Sequence, residues 1–131
     1  MTMTTLRQLV KRSVISIDTD LTVHDVIKRM AEEDIGFLVV AEKGQVVGVL
    51  SERDVIKSLA EERNLDKKVG DLCRRDIIKL RDSNTVEEAG QVMGKHRIRH
   101  VVVVDEMDNL VGVVSARDIL EELYSAEPST D

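Results

Sequence analysis

One short segment of this chain occurs twice. An apolar run with a central glycine leads into Ser51-Glu52-Arg53-Asp54, and a second such run leads into Ser115-Ala116-Arg117-Asp118. Internal repetition of this kind indicates that one supersecondary unit is present in two copies. We therefore expect two equivalent folding units and two candidate binding sites.

The repeat extends well beyond the motif, with one insertion. Gly48 and Gly112 are 64 positions apart, whereas upstream pairs such as Met30 and Met93 are 63 apart. The second copy therefore has one additional residue in the polar stretch between its two apolar runs, where a turn tolerates it. This stretch is Glu42–Gln45 in the first copy and Asp105–Asn109 in the second.

Each copy predicts the order strand, helix, strand, strand, helix. Thr22-x-x-Asp25 and Thr85-x-x-Glu88 are typical of helix starts, and apolar residues at helical spacing follow them. The β-branched runs on either side of each turn predict hairpins with largely buried strands. The predicted strands are Ile15–Ile17, Phe37–Ala41, Val46–Leu50, Ile78–Leu80, Val101–Val104 and Leu110–Val114, and a short leading helix is predicted at Leu6–Val10.

The chain has 131 residues, and each copy alone is too small to bury a comfortable core. We predict two domains that pack on each other, at 1–64 and 65–126, followed by a polar tail at 127–131 that frays. Cys73 is the single cysteine, which excludes an intramolecular disulfide. Its counterpart in the first copy is Val10, so we expect a small buried apolar role for this thiol.

Charge and hydropathy exclude two classes of partner. The formal net charge of −6 argues against nucleic-acid binding through bulk electrostatics. The apolar runs are far shorter than the roughly 20 residues that span a bilayer, and the N-terminus lacks a signal-peptide core. We therefore expect a soluble cytoplasmic protein whose anion sites are built locally.

The Ser-x-x-Asp motif has two interpretations. It can be a capping box, which stabilises a helix by about 1 kcal/mol and needs no ligand. Alternatively, the helix-start N–H groups, the hydroxyl and a nearby arginine bind phosphate, while the carboxylate accepts from ribose hydroxyls. Arg53 and Arg117 occupy the same place in both copies, and a cap alone does not require them.

A basic run leads into one of the predicted strands. We interpret Lys95, His96 and Arg97 as a solvated loop. Arg99 and His100 abut the strand Val101–Val104, and their counterparts in the first copy are Gly36 and Phe37. His100 either packs in the core as Phe37 does or faces a ligand, in which case the two sites differ in phosphate affinity.

Sequence motifs for catalysis or metal binding are not apparent. The chain has no glycine-rich phosphate or dinucleotide loop, no His-Glu-x-x-His and no paired cysteines for zinc. We therefore expect no enzyme and no resident metal.

The chain resembles a tandem pair of cystathionine-β-synthase-type (CBS) domains, an arrangement called a Bateman module. The resemblance covers Leu6 to Leu123 and indicates a stand-alone two-CBS protein. Two such motif sets in order, at the right spacing, are strongly specific. The matching segments are 34–40, 47–54, 97–105 and 111–118, and the second copy departs from the family pattern in having Val102 where relatives often carry proline.

The resemblance implies a mixed α/β (α+β) fold of two β-α-β-β-α repeats, packed through their sheets about a pseudo-two-fold axis. It also implies dimerisation and two clefts for adenosine compounds, with the motif hydroxyl on phosphate and its aspartate on ribose. One cleft would contain Ser51, Arg53 and Asp54 with Ile77 and Ile78 at the adenine and Arg99 and His100 at phosphate. The other would contain Ser115, Arg117 and Asp118 with Val14, Ile15, Gly36 and Phe37.

Three functional hypotheses follow. The first is a non-enzymatic sensor of AMP, ADP or ATP that acts on an unknown protein partner, with the Asp54 cleft the tighter site. The cations favour phosphates over the sulfonium of S-adenosylmethionine, although a sensor of that compound is an alternative. The second is a structural module that dimerises without a physiological nucleotide. The third is an enzyme that uses the nucleotide as substrate, such as a hydrolase.

Overall fold

The computed structural model describes residues 4–10 and 16–124 of the chain. Both repeats have the predicted order of strands and helices, and a short helical turn precedes each repeat. Ile15 and the predicted fraying tail at 127–131 lie outside the described residues. The elements are α1 (Leu6–Leu9), β1 (Ser16–Asp18), α2 (Val23–Glu33), β2 (Phe37–Glu42), β3 (Gln45–Ser51), α3 (Glu52–Glu62), a 3-10 helix (Val69–Asp71), β4 (Lys79–Arg81), α4 (Val86–His96), β5 (His100–Val104), β6 (Leu110–Ser115) and α5 (Ala116–Tyr124).

The chain divides into two compact units. The first unit is Ile15–Ile77, and the second unit combines Met1–Val14 with Ile78–Asp131. This division differs from the predicted sequential boundary after residue 64 because the segment that leads into each repeat joins the other repeat. The amide of Leu6 donates to the Asn84 carbonyl at 2.9 Å, and the amide of Val69 donates to the Leu21 carbonyl at 2.8 Å.

The first unit is built on a three-stranded sheet in the order β1-β2-β3. Strand β1 runs parallel to β2, and β2 runs antiparallel to β3. Leu38, Val40 and Leu50 share a core cluster with helix residues such as Val26. Side chains alternate across a strand, so Val39 lies on the opposite face, where it is also fully buried. The prediction of largely buried strands is confirmed.

The second unit repeats this arrangement with the sheet order β4-β5-β6. Strand β4 is parallel to β5 and lies one residue later than predicted, and β5 is antiparallel to β6. Its core contains Val101, Val103 and Val114 with Met93 of α4, and it includes Leu6 of the leading helix α1. Fully burying each such side chain contributes about 1.5–3 kcal/mol.

The hairpin turns contain the inserted residue at the predicted place. In the first unit Lys43 and Gly44 both have positive φ, at 52° and 80°, and connect the paired residues Glu42 and Gln45. Two consecutive residues of positive φ are typical of a tight hairpin turn. The corresponding loop of the second unit spans 105–109.

Two glycines allow a leading segment to cross close to a strand. A Cβ on Gly48 would lie 2.6 Å from the carbonyl oxygen of Arg74 and 2.8 Å from Cys73 Sγ, and a Cβ on Gly112 would lie 2.4 Å from Val10 Cγ1. Cys73 and Val10 thus occupy equivalent places, as the repeat predicts. Cys73 packs against the first core, which agrees with the predicted packing role, although its side chain is half-buried and not fully buried. This burial raises the pKa of its thiol.

Within the described part of the chain, no helix combines the length and the apolar character needed to cross a bilayer.

Candidate functional site

The Ser-x-x-Asp motifs begin the last helix of each repeat as capping boxes. In the first unit the amide of Asp54 donates to Ser51 Oγ at 3.3 Å, and the amide of Ser51 donates to Asp54 Oδ2 at 2.8 Å. The same two bonds join Ser115 and Asp118 at 3.1 and 2.9 Å. The capping interpretation of the motif is therefore confirmed.

Capping uses one carboxylate oxygen of each aspartate. Among the described residues of each unit, the hydrogen bonds accepted by Asp54 and Asp118 all go to Oδ2. A carboxylate has about four lone-pair sites, so the geometry leaves Oδ1 able to accept from two adjacent hydroxyl groups. Both aspartates are partly buried, and the capping and ligand interpretations of the motif are chemically compatible.

Asp54 forms an ion pair with Arg74 that the sequence did not predict. Arg74 Nε lies 3.3 Å from Asp54 Oδ2, and the side-chain exposures are 52% and 18%. Arg74 follows Cys73, whose backbone crosses Gly48. The repeat contained a signal for it, because the residue that follows Val10 in the first copy is Lys11, also a cation.

The two motif arginines lie on the surface. Arg117 pairs with Glu121 one helical turn later, at 3.5 Å, and both side chains are largely exposed. Arg53 is exposed as well. A surface pair of this kind contributes about 0–1 kcal/mol, so helix stability does not depend on these arginines.

The residues before the second strand of each repeat lie beside the motif of their own unit. The Gly36 carbonyl accepts from the amide of Glu52 at 2.9 Å, and the Arg99 carbonyl accepts from the amide of Ala116 at 2.8 Å. The next residue of each repeat pairs with the motif serine across the hairpin: Phe37 with Ser51 and His100 with Ser115. Phe37 and His100 are both half-buried, so His100 occupies the backbone position of Phe37.

Charge differs at these equivalent positions. Arg99 is exposed on the second unit. On the first unit, the Glu52 side chain lies against Gly36, and its Oε1 is 2.6 Å from the place that a Cβ of residue 36 would take. An anionic side chain therefore lies on the first unit where the second unit carries a cationic one.

The basic run before β5 is helical where a loop was predicted. Lys95 and His96 form the last turn of α4, and Arg97 is its C-cap with φ of 55°. Cations are favourable at a helix C-terminus, which carries partial negative charge. The three side chains are exposed, so the prediction of solvation is confirmed and the prediction of a loop is wrong.

The remaining candidate residues are divided between the units. Ile77 is the last residue of the first unit and Ile78 begins the C-terminal segment of the second, and both are half-buried. Val14 and Ile15 lie outside the described residues. The combination of Ser51, Arg53 and Asp54 with Arg99 and His100 spans the two units and stays a prediction.

Metal ligands do not cluster in the described residues. No group of three His, Cys, Asp or Glu side chains there could hold a metal ion. His24, on α2, is exposed. The chemistry that these residues offer is hydrogen bonding and charge.

Comparison with known proteins gives a consistent family. The model of the CBS domain matches residues 6–61 and 69–125. A CBS domain protein of Pyrobaculum aerophilum, solved in complex with AMP, is 33% identical with a TM-score of 0.81, covering 93% of this chain and 99% of that one. A CBS domain pair solved with 5-methylthioadenosine and S-adenosyl-L-methionine has a TM-score of 0.82 over 93% and 97% of the two chains, but its 23% identity shows the fold alone.

The curated relatives differ in how much of their length this chain matches. A CBS domain-containing protein of Bacillus subtilis is 25% identical over 95% of this chain and 89% of its own length. The inosine-5'-monophosphate dehydrogenase of Methanocaldococcus jannaschii is 31% identical over 95% of this chain, which spans 24% of that enzyme. An uncharacterised protein of the same organism, 30% identical, is matched over 38% of its length.

Proposed function

This chain belongs to the CBS domain family, and from that premise we propose that it is a non-enzymatic regulatory module that binds an adenosine ligand. The observation that carries the proposal is its likeness, at 33% identity over nearly the whole of both chains, to a CBS domain protein complexed with AMP. The two motif carboxylates add a chemical reason, because each keeps an oxygen that can accept hydrogen bonds from ribose hydroxyls.

The first proposed site is centred on Asp54. Asp54 accepts hydrogen bonds from the ribose hydroxyls, the Ser51 hydroxyl contacts the phosphate, and Arg53 lies at the rim. Ile77 and Ile78 flank the adenine, and Arg99 and His100 contact the phosphate. The second proposed site is centred on Asp118 and also contains Ser115, Arg117, Val14, Ile15, Gly36 and Phe37.

We expect the Asp54 site to bind phosphorylated ligands more tightly. Its proposed phosphate contacts include Arg99 and His100, and hydrogen bonds to charged groups are among the strongest in proteins. The equivalent part of the other site contains Gly36, with the Glu52 carboxylate against it. Repulsion between that carboxylate and a phosphate lowers the affinity of the Asp118 site for AMP, ADP and ATP, and it does not oppose the cationic sulfonium of S-adenosylmethionine.

For regulation, the ligand must bind two states of the module with different affinity. The output then reaches a protein partner whose contacts depend on that state. The chemistry of the site favours AMP, ADP or ATP as the ligand, and S-adenosylmethionine is the alternative.

Calorimetric titration of AMP, ADP, ATP and S-adenosylmethionine tests this function. Asp54→Asn removes the carboxylate and should abolish saturable binding of AMP at the tighter site. Asp25→Asn is the matched control, because Asp25 closes the same kind of capping box at the start of α2. Equal losses in both variants, or no binding of any of the four ligands to the wild type, would contradict the proposal.

A dimeric assembly module is the second candidate function. Ile56 of α3 and Leu120 of α5 occupy equivalent repeat positions, and 66% and 56% of their surfaces are exposed. Exposed apolar residues repeated on two helices are typical of a protein interface. Sedimentation analysis of the wild type and of the double variant Ile56→Asp, Leu120→Asp tests this second function. A ligand-free dimer that the two substitutions dissociate, together with no ligand binding in the titrations, would favour an assembly module over a sensor.

A further inference from the structure

We propose that Arg74 is a phosphate-specificity residue of the Asp54 site, so that it favours AMP over adenosine. This inference rests on the proposed function, since it assigns a new residue to the same site. All the contacts that support it lie within the first unit.

The backbone of Arg74 is held in place on the sheet. Its amide donates to the Val49 carbonyl at 2.9 Å, and the Val49 amide donates to the Arg74 carbonyl at 2.9 Å. Gly48 lets this segment come close, because a Cβ there would lie 2.6 Å from the Arg74 carbonyl oxygen. The Cα of Arg74 therefore has a fixed position beside β3, the strand that ends at Ser51.

The side chain extends from this anchor to Asp54. Nε lies 3.3 Å from Asp54 Oδ2, and 52% of the Arg74 side chain is exposed. A guanidinium has five N–H donors in a planar fork, and Nε uses one of them. Within the described part of the first unit the Nη groups have no hydrogen-bond acceptor, so four donors are available to a ligand.

The neighbouring arginine is used differently. Arg75 Nη2 donates to the Gly70 carbonyl at 2.6 Å, so its guanidinium is tied to the backbone of the 3-10 helix. Two adjacent arginines of the same segment therefore have separate roles: Arg75 supports the backbone, and Arg74 contacts through Nε the carboxylate that we assign to ribose.

The ion pair between Arg74 and Asp54 adds little to the stability of the fold. An ion pair with one partner half exposed contributes about 0–1 kcal/mol. The pair does fix the orientation of the guanidinium, and planar guanidinium groups bind phosphate oxygens in pairs. Ribose and 5′-phosphate are adjacent parts of a nucleotide, so a ligand held at Asp54 Oδ1 brings its phosphate towards the Nη groups.

Titration of both AMP and adenosine into Arg74→Met and the wild type separates specificity from general support. Methionine keeps an unbranched side chain without the charge. We expect the affinity for AMP to fall by about tenfold or more, as the loss of hydrogen bonds between charged groups implies, while the affinity for adenosine changes by less than about twofold. Arg75→Met should leave the ratio of AMP to adenosine affinity unchanged.

The outcomes distinguish this inference from the proposed function. Equal weakening of AMP and adenosine by Arg74→Met would overturn the inference, since Arg74 would then only orient Asp54. No change in either affinity would overturn it too, with the function intact. A wild type that binds neither ligand contradicts both. Arg74→Lys keeps the charge without the fork and should give an intermediate ratio, and it serves as the folded variant if methionine destabilises the unit.

Discussion

The two repeats have the same backbone at the motif but opposite charges beside it. In the first unit, Gly36 precedes β2 and the Glu52 carboxylate lies against it. In the second unit, Arg99 precedes β5 and the motif helix begins with Ala116. The carbonyls of Gly36 and Arg99 nevertheless accept from the first helical amide at 2.9 and 2.8 Å. The hydrogen bond between the residue before the strand and the start of the motif helix is therefore made by the main chain in both units, so the side chains at these positions can differ.

This difference indicates how a duplicated unit can acquire two specificities. The first unit has Gly36 and Glu52 where the second has Arg99 and Ala116. This exchange reverses the local charge without moving a strand or a helix. The capping bonds of Ser51 and Ser115 are conserved between the units, so the element that could hold ribose is common to both. The neighbouring charges are the part that could discriminate between ligands.

The largest expected effect comes from the crossing glycines, which test whether the backbones are equivalent. Gly48→Ala places a Cβ against the Arg74 carbonyl and should destabilise the protein by about 1–3 kcal/mol. Gly112→Ala places its Cβ against the side chain of Val10, which can be shortened. Urea unfolding followed by circular dichroism is the appropriate measurement, since the chain has no tryptophan.

Rescue separates the two glycines. Val10→Ala should recover much of the stability lost in Gly112→Ala, because the clash is with a side chain and contacting residues couple. Cys73→Ala should recover little in Gly48→Ala, because the backbone of Arg74 remains in the way. Full recovery of stability by Cys73→Ala would show that the Arg74 backbone leaves room for a Cβ at residue 48, contrary to the distance of 2.6 Å.

The next effect is on phosphate binding by the second unit. Arg99→Ala should weaken AMP binding at the tighter site by about tenfold or more, because a hydrogen bond between charged groups contributes about 1.5–3 kcal/mol. Binding of adenosine should stay unchanged. Lys95→Ala is the control, since Lys95 is an exposed cation in the last turn of α4. Equal effects of the two substitutions on AMP would mean that only net charge matters.

A smaller effect of opposite sign is expected at Glu52. Glu52→Ala gives the first motif the alanine of the second and removes the carboxylate from beside Gly36. The affinity of the weaker site for AMP should rise by about twofold to fivefold, the range typical of exposed charges. Glu61→Ala, at the other end of α3, controls for net charge. The measurement is a titration of Glu52→Ala with AMP. If the affinity of the weaker site does not rise, the charge difference between the units has no role in AMP binding.

Much of this comparison could be predicted from the sequence, because repetition and periodicity are local signals. The equivalence of Val10 and Cys73, the inserted turn residue and the four capping motifs follow from residue types at fixed spacing. The segment that crosses each glycine did not follow, because sequence order does not tell which unit Leu6 or Val69 joins. The Arg74 ion pair and the position of Glu52 depend on side-chain direction, which only the folded backbone determines.

The smallest expected effect concerns the other pair of capping boxes. The backbone amide of Thr85, with help from the Asn84 side chain, lowers the pKa of Glu88 below its ordinary 4.5, and the amide of Thr22 lowers that of Asp25 below 3.8. A carboxyl whose pKa is lowered by folding stabilises the protein above its ordinary pKa, and this contribution is lost as the pH falls through the lowered value. Glu88→Gln should therefore reduce stability slightly at pH 7, and its unfolding midpoint should converge with that of the wild type below pH 4.5.

By the same reasoning, Asp25→Asn should reduce stability slightly at pH 7 and converge with the wild type below pH 3.8, the ordinary pKa of its carboxyl. Urea midpoints measured by circular dichroism between neutral and acidic pH would show both convergences. Because each box sits at the start of the first helix of its repeat and is remote from the Ser-x-x-Asp motifs in sequence, neither substitution should alter AMP affinity at neutral pH. A stability difference that persists below these pH values would show that the charge of the carboxyl is not what stabilises the cap, and a change in AMP affinity would show that these caps have ligand-linked roles.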